Sequence, residues 1–114
     1  MQMQIRTLNL DNSAALDAHA RERLAIALEH FESRVDSVDV RLEDMHGTRH
    51  GQELRCTVRV HVRGAGAVMV EQIDPDIYHA IDTAAHRVKR AVKRRVNRSR
   101  SFTHERHGGQ SQAA

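Results

Sequence analysis

Residues 74–100, DPDIYHAIDTAAHRVKRAVKRRVNRSR, carry the pattern that most restricts what this chain can fold into. Apolar side chains recur at Ile77, Ile81, Ala84, Val88, Ala91/Val92 and Val96, in steps of three and four that place them on one face of a helix. A stripe of this kind has to be buried, so the rest of the chain must supply an apolar surface to receive it. Asp74 is expected as the N-cap and Pro75 as the first helical residue, with Asp76 well placed at the positive end of the helix dipole. The second half carries Arg87, Lys89, Arg90, Lys93, Arg94, Arg95, Arg98 and Arg100, with no acid between Asp82 and Glu105. Fully helical, the stretch spans about 40 Å. One face is suited to a core and the other to an anion.

The distribution of charge sharpens this. Residues 1–85 hold nine Lys/Arg and fourteen Asp/Glu, a net of −5, whereas residues 86–100 hold eight Lys/Arg and no acid, a net of +8. A mildly acidic body with one concentrated basic edge points to a polyphosphate partner. An ordinary solvated helix face is the plainer reading, but like charges at i,i+4 cost stability unless something compensates them.

A chain of 114 residues is expected to form one domain with a single modest core. No apolar run approaches the length of a membrane span and the start has no signal-peptide pattern, so a soluble cytoplasmic protein is expected. The single cysteine, Cys56, has no internal disulfide partner, which fits a reducing compartment. Only Phe31, Tyr78 and Phe102 are aromatic, which argues against stacking platforms for single-stranded nucleic acid.

From the start, Met3 and Ile5 alternate with Gln2, Gln4 and Arg6, a short strand. Ser13 is expected to cap a helix running from Ala14 to about Phe31, with Leu16, Ala20, Leu24, Ala27/Leu28 and Phe31 on its apolar face. Arg21 and Arg23 flank Glu22 and read as solvated surface. Val38, Val40 and Leu42 alternate with charged residues, and Asp44 to Gly51 reads as a loop. Leu54, Cys56, Val58, Val60 and Val62 alternate with Arg55, Thr57, Arg59, His61 and Arg63, the clearest strand. Its arginines are suited to cross-strand pairing with Asp39 and Glu43. Gly64-Ala65-Gly66 turns the chain into a fourth strand through Val68 and Val70 to about Ile73, and residues 101–114 are expected to be a disordered tail.

The order β-α-β-β-β-α, with one apolar face on every element, defines an α+β fold. The expected architecture is a two-layer sandwich, a four-stranded sheet with both helices on one face and strand one parallel to strand two. No catalytic or metal centre emerges, and no cofactor or small-molecule substrate is expected. His46 and His50 sit in a glycine-bearing loop without zinc-type spacing, and His104 and His107 fall in the tail. Cys56 is expected to face inward as a structural thiol, and Asp76 and Asp82 have no evident partner base. A binding protein, not an enzyme, is the expectation.

The run Asp76-Ile77-Tyr78-His79-Ala80-Ile81-Asp82, followed by Arg87-Val88 and Arg90, resembles a segment of the ribosome hibernation factors, the hibernation-promoting factor and ribosome-associated inhibitor family. The opening strand Met1–Ile5, Ser13 leading into a helix and that helix's end near Phe31 are similar to the family as well. The resemblance covers roughly residues 1–100 and implies a fold like that of double-stranded RNA-binding domains. It further implies binding to 16S rRNA of the small ribosomal subunit, alone or within the 70S ribosome, in the channel used by mRNA and by A- and P-site tRNA. Translation would be blocked there and idle ribosomes preserved under stress or in stationary phase. Arg87, Arg90, Lys93 and Arg94 match or adjoin the family's basic positions, and Lys89 and Arg98 extend the patch. These six are the expected rRNA-binding residues, whereas Tyr78, Ile81 and the flanking aspartates are expected to shape the helix start and the core.

Asn12 and Gln72 depart from the family, which favours apolar or small residues there. The chain is also expected to be a short form, without the second domain that pairs ribosomes in longer members. Two other classes fit the residues: a general double-stranded nucleic-acid binder, and a protein-interaction regulator docking on an acidic partner.

Overall fold

Alternation in Leu54–Val62 builds one of the two inner strands of the sheet. Leu54, Cys56, Val58, Val60 and Val62 are all buried, on one side of the sheet, while Arg59 on the other side is exposed. The computed structural model describes residues 1–45 and 53–111, with side chains through Ser99. Its elements are β1 (Gln2–Leu8), α1 (Ser13–Ala27), a 3-10 helix (Glu29–Arg34), β2 (Val35–Asp44), β3 (Leu54–Val62), β4 (Gly66–Asp74) and α2 (Ile77–Ser111).

The sheet order is β1-β2-β3-β4. β1 runs parallel to β2, as the α1 crossover requires, and β2-β3-β4 are antiparallel. The register aligns Val38 with Val60 and Val68, and Val40 with Val58 and Val70, so the valines form continuous rows under the helices. α2 lies over β3 and β4, and α1 packs beside it towards β1. Leu16, Ala20 and Leu24 of α1 and Ile81, Ala84, Val88, Val92 and Val96 of α2 complete a core in which, among the described residues, no polar side chain is buried. This is the expected α+β sandwich with both helices on one face. Among the described residues, no helix is long and apolar enough to cross a membrane.

Several local expectations are corrected. Ser13 is the first residue of α1, not its cap. The cap position belongs to Asn12, in the left-handed conformation (φ 59°), and its carbonyl accepts the Leu16 amide at 3.0 Å. Asn9 adopts the same φ. Asparagine tolerates this backbone better than any β-branched or large apolar residue, which suits Asn12 to the position it holds. The first helix also ends at Ala27, earlier than expected. A 3-10 turn then carries Phe31, whose amide donates to the Leu28 carbonyl at 2.9 Å, so Leu28 and Phe31 still reach the core.

At the start of α2 the cap is Asp76 and not Asp74. An Asp76 side-chain oxygen accepts the amides of Tyr78 at 3.0 Å and His79 at 3.4 Å, and Pro75 precedes the helix instead of opening it. Asp74 has a different task. One of its oxygens accepts the Asp76 amide at 2.8 Å and the other meets His79 Nδ1 at 2.6 Å. The amide donor, and then the histidine, hold the Asp74 carboxyl below its usual range, and the carboxylate raises the pKa of His79. A raised histidine stabilises the fold below its unfolded value near 6.5, and that contribution fades as pH rises through its folded value. A depressed carboxylate stabilises above its unfolded value near 3.8 and fails as pH falls through its folded value. The pair therefore contributes most between these limits. His79→Gln is expected to lose modest stability at pH 5 and almost none at pH 8.5, read from urea midpoints. A difference that grows towards pH 8.5 would contradict the pairing.

The helical backbone of α2 runs on to Ser111, past the boundary near 100 where the sequence reading places an unstructured tail. The apolar stripe ends at Val96, but no proline interrupts the segment, and extending a formed helix costs far less than nucleating one. Of the loop expected over Asp44 to Gly51, the part holding His46 and His50 lies outside the described residues, as do the side chains of His104 and His107.

Candidate nucleic-acid interface

The core stripe of α2 fixes where its cations point. With Ile81, Ala84, Val88, Val92 and Val96 facing the sheet, Arg87, Lys89, Arg90, Lys93, Arg94 and Arg98 are all exposed. They form two rows. Arg87, Arg90 and Arg94 follow one another at three- and four-residue steps along the flank beside β4, Arg98 extends the row by one further step, and Lys89 and Lys93, one turn apart, continue round the outer surface. Arg87, Arg90 and Arg94 line a shallow groove of about 290 Å³ with Met69, Val70 and Ala91. Among the described residues, Lys89, Arg90, Lys93, Arg94 and Arg98 have no hydrogen-bond or ion-pair partner, so like charges stand side by side without compensation.

Arg87 and Arg95 differ from their neighbours. The Nη1 of Arg87 donates to the Glu71 carbonyl at 2.7 Å and to Gln72 Oε1 at 2.9 Å. This explains Gln72, which faces inward beside Cys56 in register and has its side-chain oxygen satisfied by the arginine. Arg95, half-buried, donates from Nη1 to the carbonyls of Ala65 at 2.7 Å and Ala67 at 3.2 Å. Gly66 lies under it with φ 83°, a conformation suited to glycine, and an added Cβ would sit 3.4 Å from the Arg95 guanidinium. Both arginines thus tie α2 to carbonyls of edge strand β4 and of the turn that leads into it. Of the six expected rRNA-binding residues, five have no polar partner among the described residues and Arg87 is partly committed to the fold.

The aspartates and tyrosine at the helix start act within the protein. Asp82 Oδ1 meets His19 Nε2 at 2.8 Å and Arg23 Nε at 3.4 Å, and the His19 and Tyr78 rings pack edge to face with centroids 4.9 Å apart. This cluster joins α1 to α2. Arg21 is held by Asp17 at 2.6 Å and by the Met3 carbonyl at 3.0 Å. Cys56 is buried, and desolvation pushes its thiol up to about 12, far from a reactive thiolate. Among the described residues, no three His, Cys, Asp or Glu side chains gather as metal ligands would.

On the opposite face of the sheet, Arg55 pairs with Glu43, as expected from the sequence, and also with Glu71 at 3.1 Å. Arg63 pairs with Asp36 at 2.8 Å, and Arg59 stands opposite Asp39 in register without an ion pair between them. Arg6 and Arg41, not among the expected site residues, are direct neighbours across β1 and β2. The alternation in each strand gives their facing, but their adjacency needs the parallel register.

A β-α-β-β-β-α sandwich with a four-stranded mixed sheet is the fold of ribosomal subunit-interface domains. The crystal structure of the Thermus thermophilus Protein Y N-terminal domain superposes with a TM-score of 0.66 at 28% identity, over 82% of this chain and 98% of that one. A ribosomal subunit interface protein from Coxiella burnetii shares the fold, with a TM-score of 0.64 at 14% identity over 82% of this chain and 96% of that one. No curated protein matches the sequence. The profile of the Sigma 54 modulation protein / S30EA ribosomal protein family matches residues 3–100, and the chain belongs to that family. This agrees with the resemblance to the hibernation-promoting factors seen in the sequence.

Proposed function

We propose that this protein is a cytoplasmic, ribosome-associated hibernation factor. It binds the small subunit through 16S rRNA, free or within the 70S ribosome, and occupies the channel where mRNA and tRNA would lie. Translation is thereby inhibited and the idle ribosome preserved. The contact is made by α2: Arg90, Lys93, Arg94, Lys89 and Arg98 approach rRNA phosphates, with Arg87 contributing beside its contacts to β4. Release of counterions from the phosphates supplies much of the affinity. The observation that carries this reading is the row of exposed cations, without polar partners among the described residues, on a helix whose opposite face is locked into the core, in a chain of the S30EA family.

Co-sedimentation with 30S subunits and 70S ribosomes, at low and physiological salt and with a bare RNA duplex as competitor, tests it. Near-stoichiometric binding that resists the duplex is expected. Binding that the duplex strips away would instead mark a general double-stranded nucleic-acid binder. No binding even at low salt would favour a protein-interaction regulator.

A further inference from the structure

The sheet face turned away from the helices holds a charge arrangement that the fold does not explain. Arg6 and Arg41 are register partners on adjacent parallel strands, both are exposed, and neither has an ion-pair or hydrogen-bond partner among the described residues. Like charges placed directly opposite each other on a sheet destabilise it. Of the surrounding cations, Arg55 is held by Glu43 and Glu71 and Arg63 by Asp36, and Arg59, though not ion-paired, has the carboxylate Asp39 and not another cation opposite it in register. The positive excess therefore falls on Arg6 and Arg41. Thr57, the register partner of Arg41 on β3, brings a hydroxyl into the same row. At its far end Glu71 is already engaged by Arg55. The row crosses a concavity of about 420 Å³ in the twisted sheet, also lined by Asp39 and Arg59.

We infer that Arg6 and Arg41, with the Thr57 hydroxyl, form a second phosphate-binding point, which takes an RNA phosphodiester on the side of the domain opposite the basic helix. Neighbouring strands lie about 4.8 Å apart, a spacing at which two guanidinium groups can both reach one phosphate. Two separated phosphate contacts suit a protein enclosed by RNA on two sides, whereas a single duplex reaches only one of them. The inference rests on the ribosome-binding reading above and adds a second face to it.

The test compares three proteins, the parent, Arg6→Gln/Arg41→Gln and Arg90→Ala/Lys93→Ala/Arg94→Ala, for binding to 30S subunits across a salt series and to a short RNA duplex. For the sheet variant, subunit binding is expected to weaken about tenfold or more, and the slope of log K against log salt to flatten by about one to two. Its duplex binding should stay unchanged. Its melting temperature should hold or rise, because a like-charge opposition is removed. Unchanged subunit binding by the folded sheet variant, with the helix variant impaired, would overturn the second face and leave the basic-helix reading standing. A parent that fails to bind subunits would sink both. A melting temperature that falls with the loss of binding would assign Arg6 and Arg41 a structural role and likewise overturn the inference.

Discussion

Replacing Arg90, Lys93 and Arg94 together by alanine is expected to weaken small-subunit binding by roughly two to three orders of magnitude, with the fold intact. Each side chain is exposed and makes no hydrogen bond or ion pair among the described residues, so its removal leaves no buried group unsatisfied. A solvent-exposed phosphate contact, taken at about 1–1.5 kcal/mol, lies at the upper end for an ordinary hydrogen bond and at or below the range for a fully charge-assisted one, and three such losses give the stated range. The salt dependence should flatten in step, by about three in slope. Arg87 is best left in place, because its guanidinium holds Glu71 and Gln72 and its loss would mix binding with packing. Arg21→Ala, which removes a cation already engaged by Asp17, is the matched control and should bind like the parent. Full binding by the triple variant would remove α2 from the interface.

Ile81→Ala is expected to produce the largest loss of stability among single substitutions in α2. The side chain is 1% exposed, on the stripe that meets the core, and Asp82 beside it joins α2 to α1. Truncation removes buried methyl groups and leaves a cavity, at a cost of about 2–5 kcal/mol. For a domain of this size that corresponds to a fall in melting temperature on the order of 10–30 °C. Urea titration measures it directly. A loss below about 1 kcal/mol would mean that α2 packs far more loosely on the sheet than its buried stripe indicates.

Much of the architecture follows from alternation and helical spacing alone. The valines of β3 and the stripe from Ile77 to Val96 each admit one facing, and with the crossover before β2 they leave the two-layer sandwich as the economical solution. What was not legible depended on backbone geometry or on side chains meeting from distant elements. Asp74 and Asp76 are both acceptable caps by residue type, and only the local turn decides that Asp76 takes the amides while Asp74 takes His79. Asn12 reads as a weakness until its left-handed φ is known. In the basic helix, spacing predicts which cations avoid the core but not that Arg87 and Arg95 reach carbonyls of β4 and the turn before it, because those acceptors lie 16 and 28–30 residues away. The opposition of Arg6 and Arg41 depends on the parallel register of β1 and β2, which no pattern within either strand specifies.

The central claim is that the basic flank of α2 occupies the small-subunit channel instead of decorating its exterior. Competition between this protein and a messenger with P-site tRNA for 30S subunits, followed by filter binding at physiological salt, tests it most directly. Mutual exclusion is expected, with the triple variant unable to displace the tRNA. Simultaneous stoichiometric binding of protein, messenger and tRNA to one subunit would contradict it.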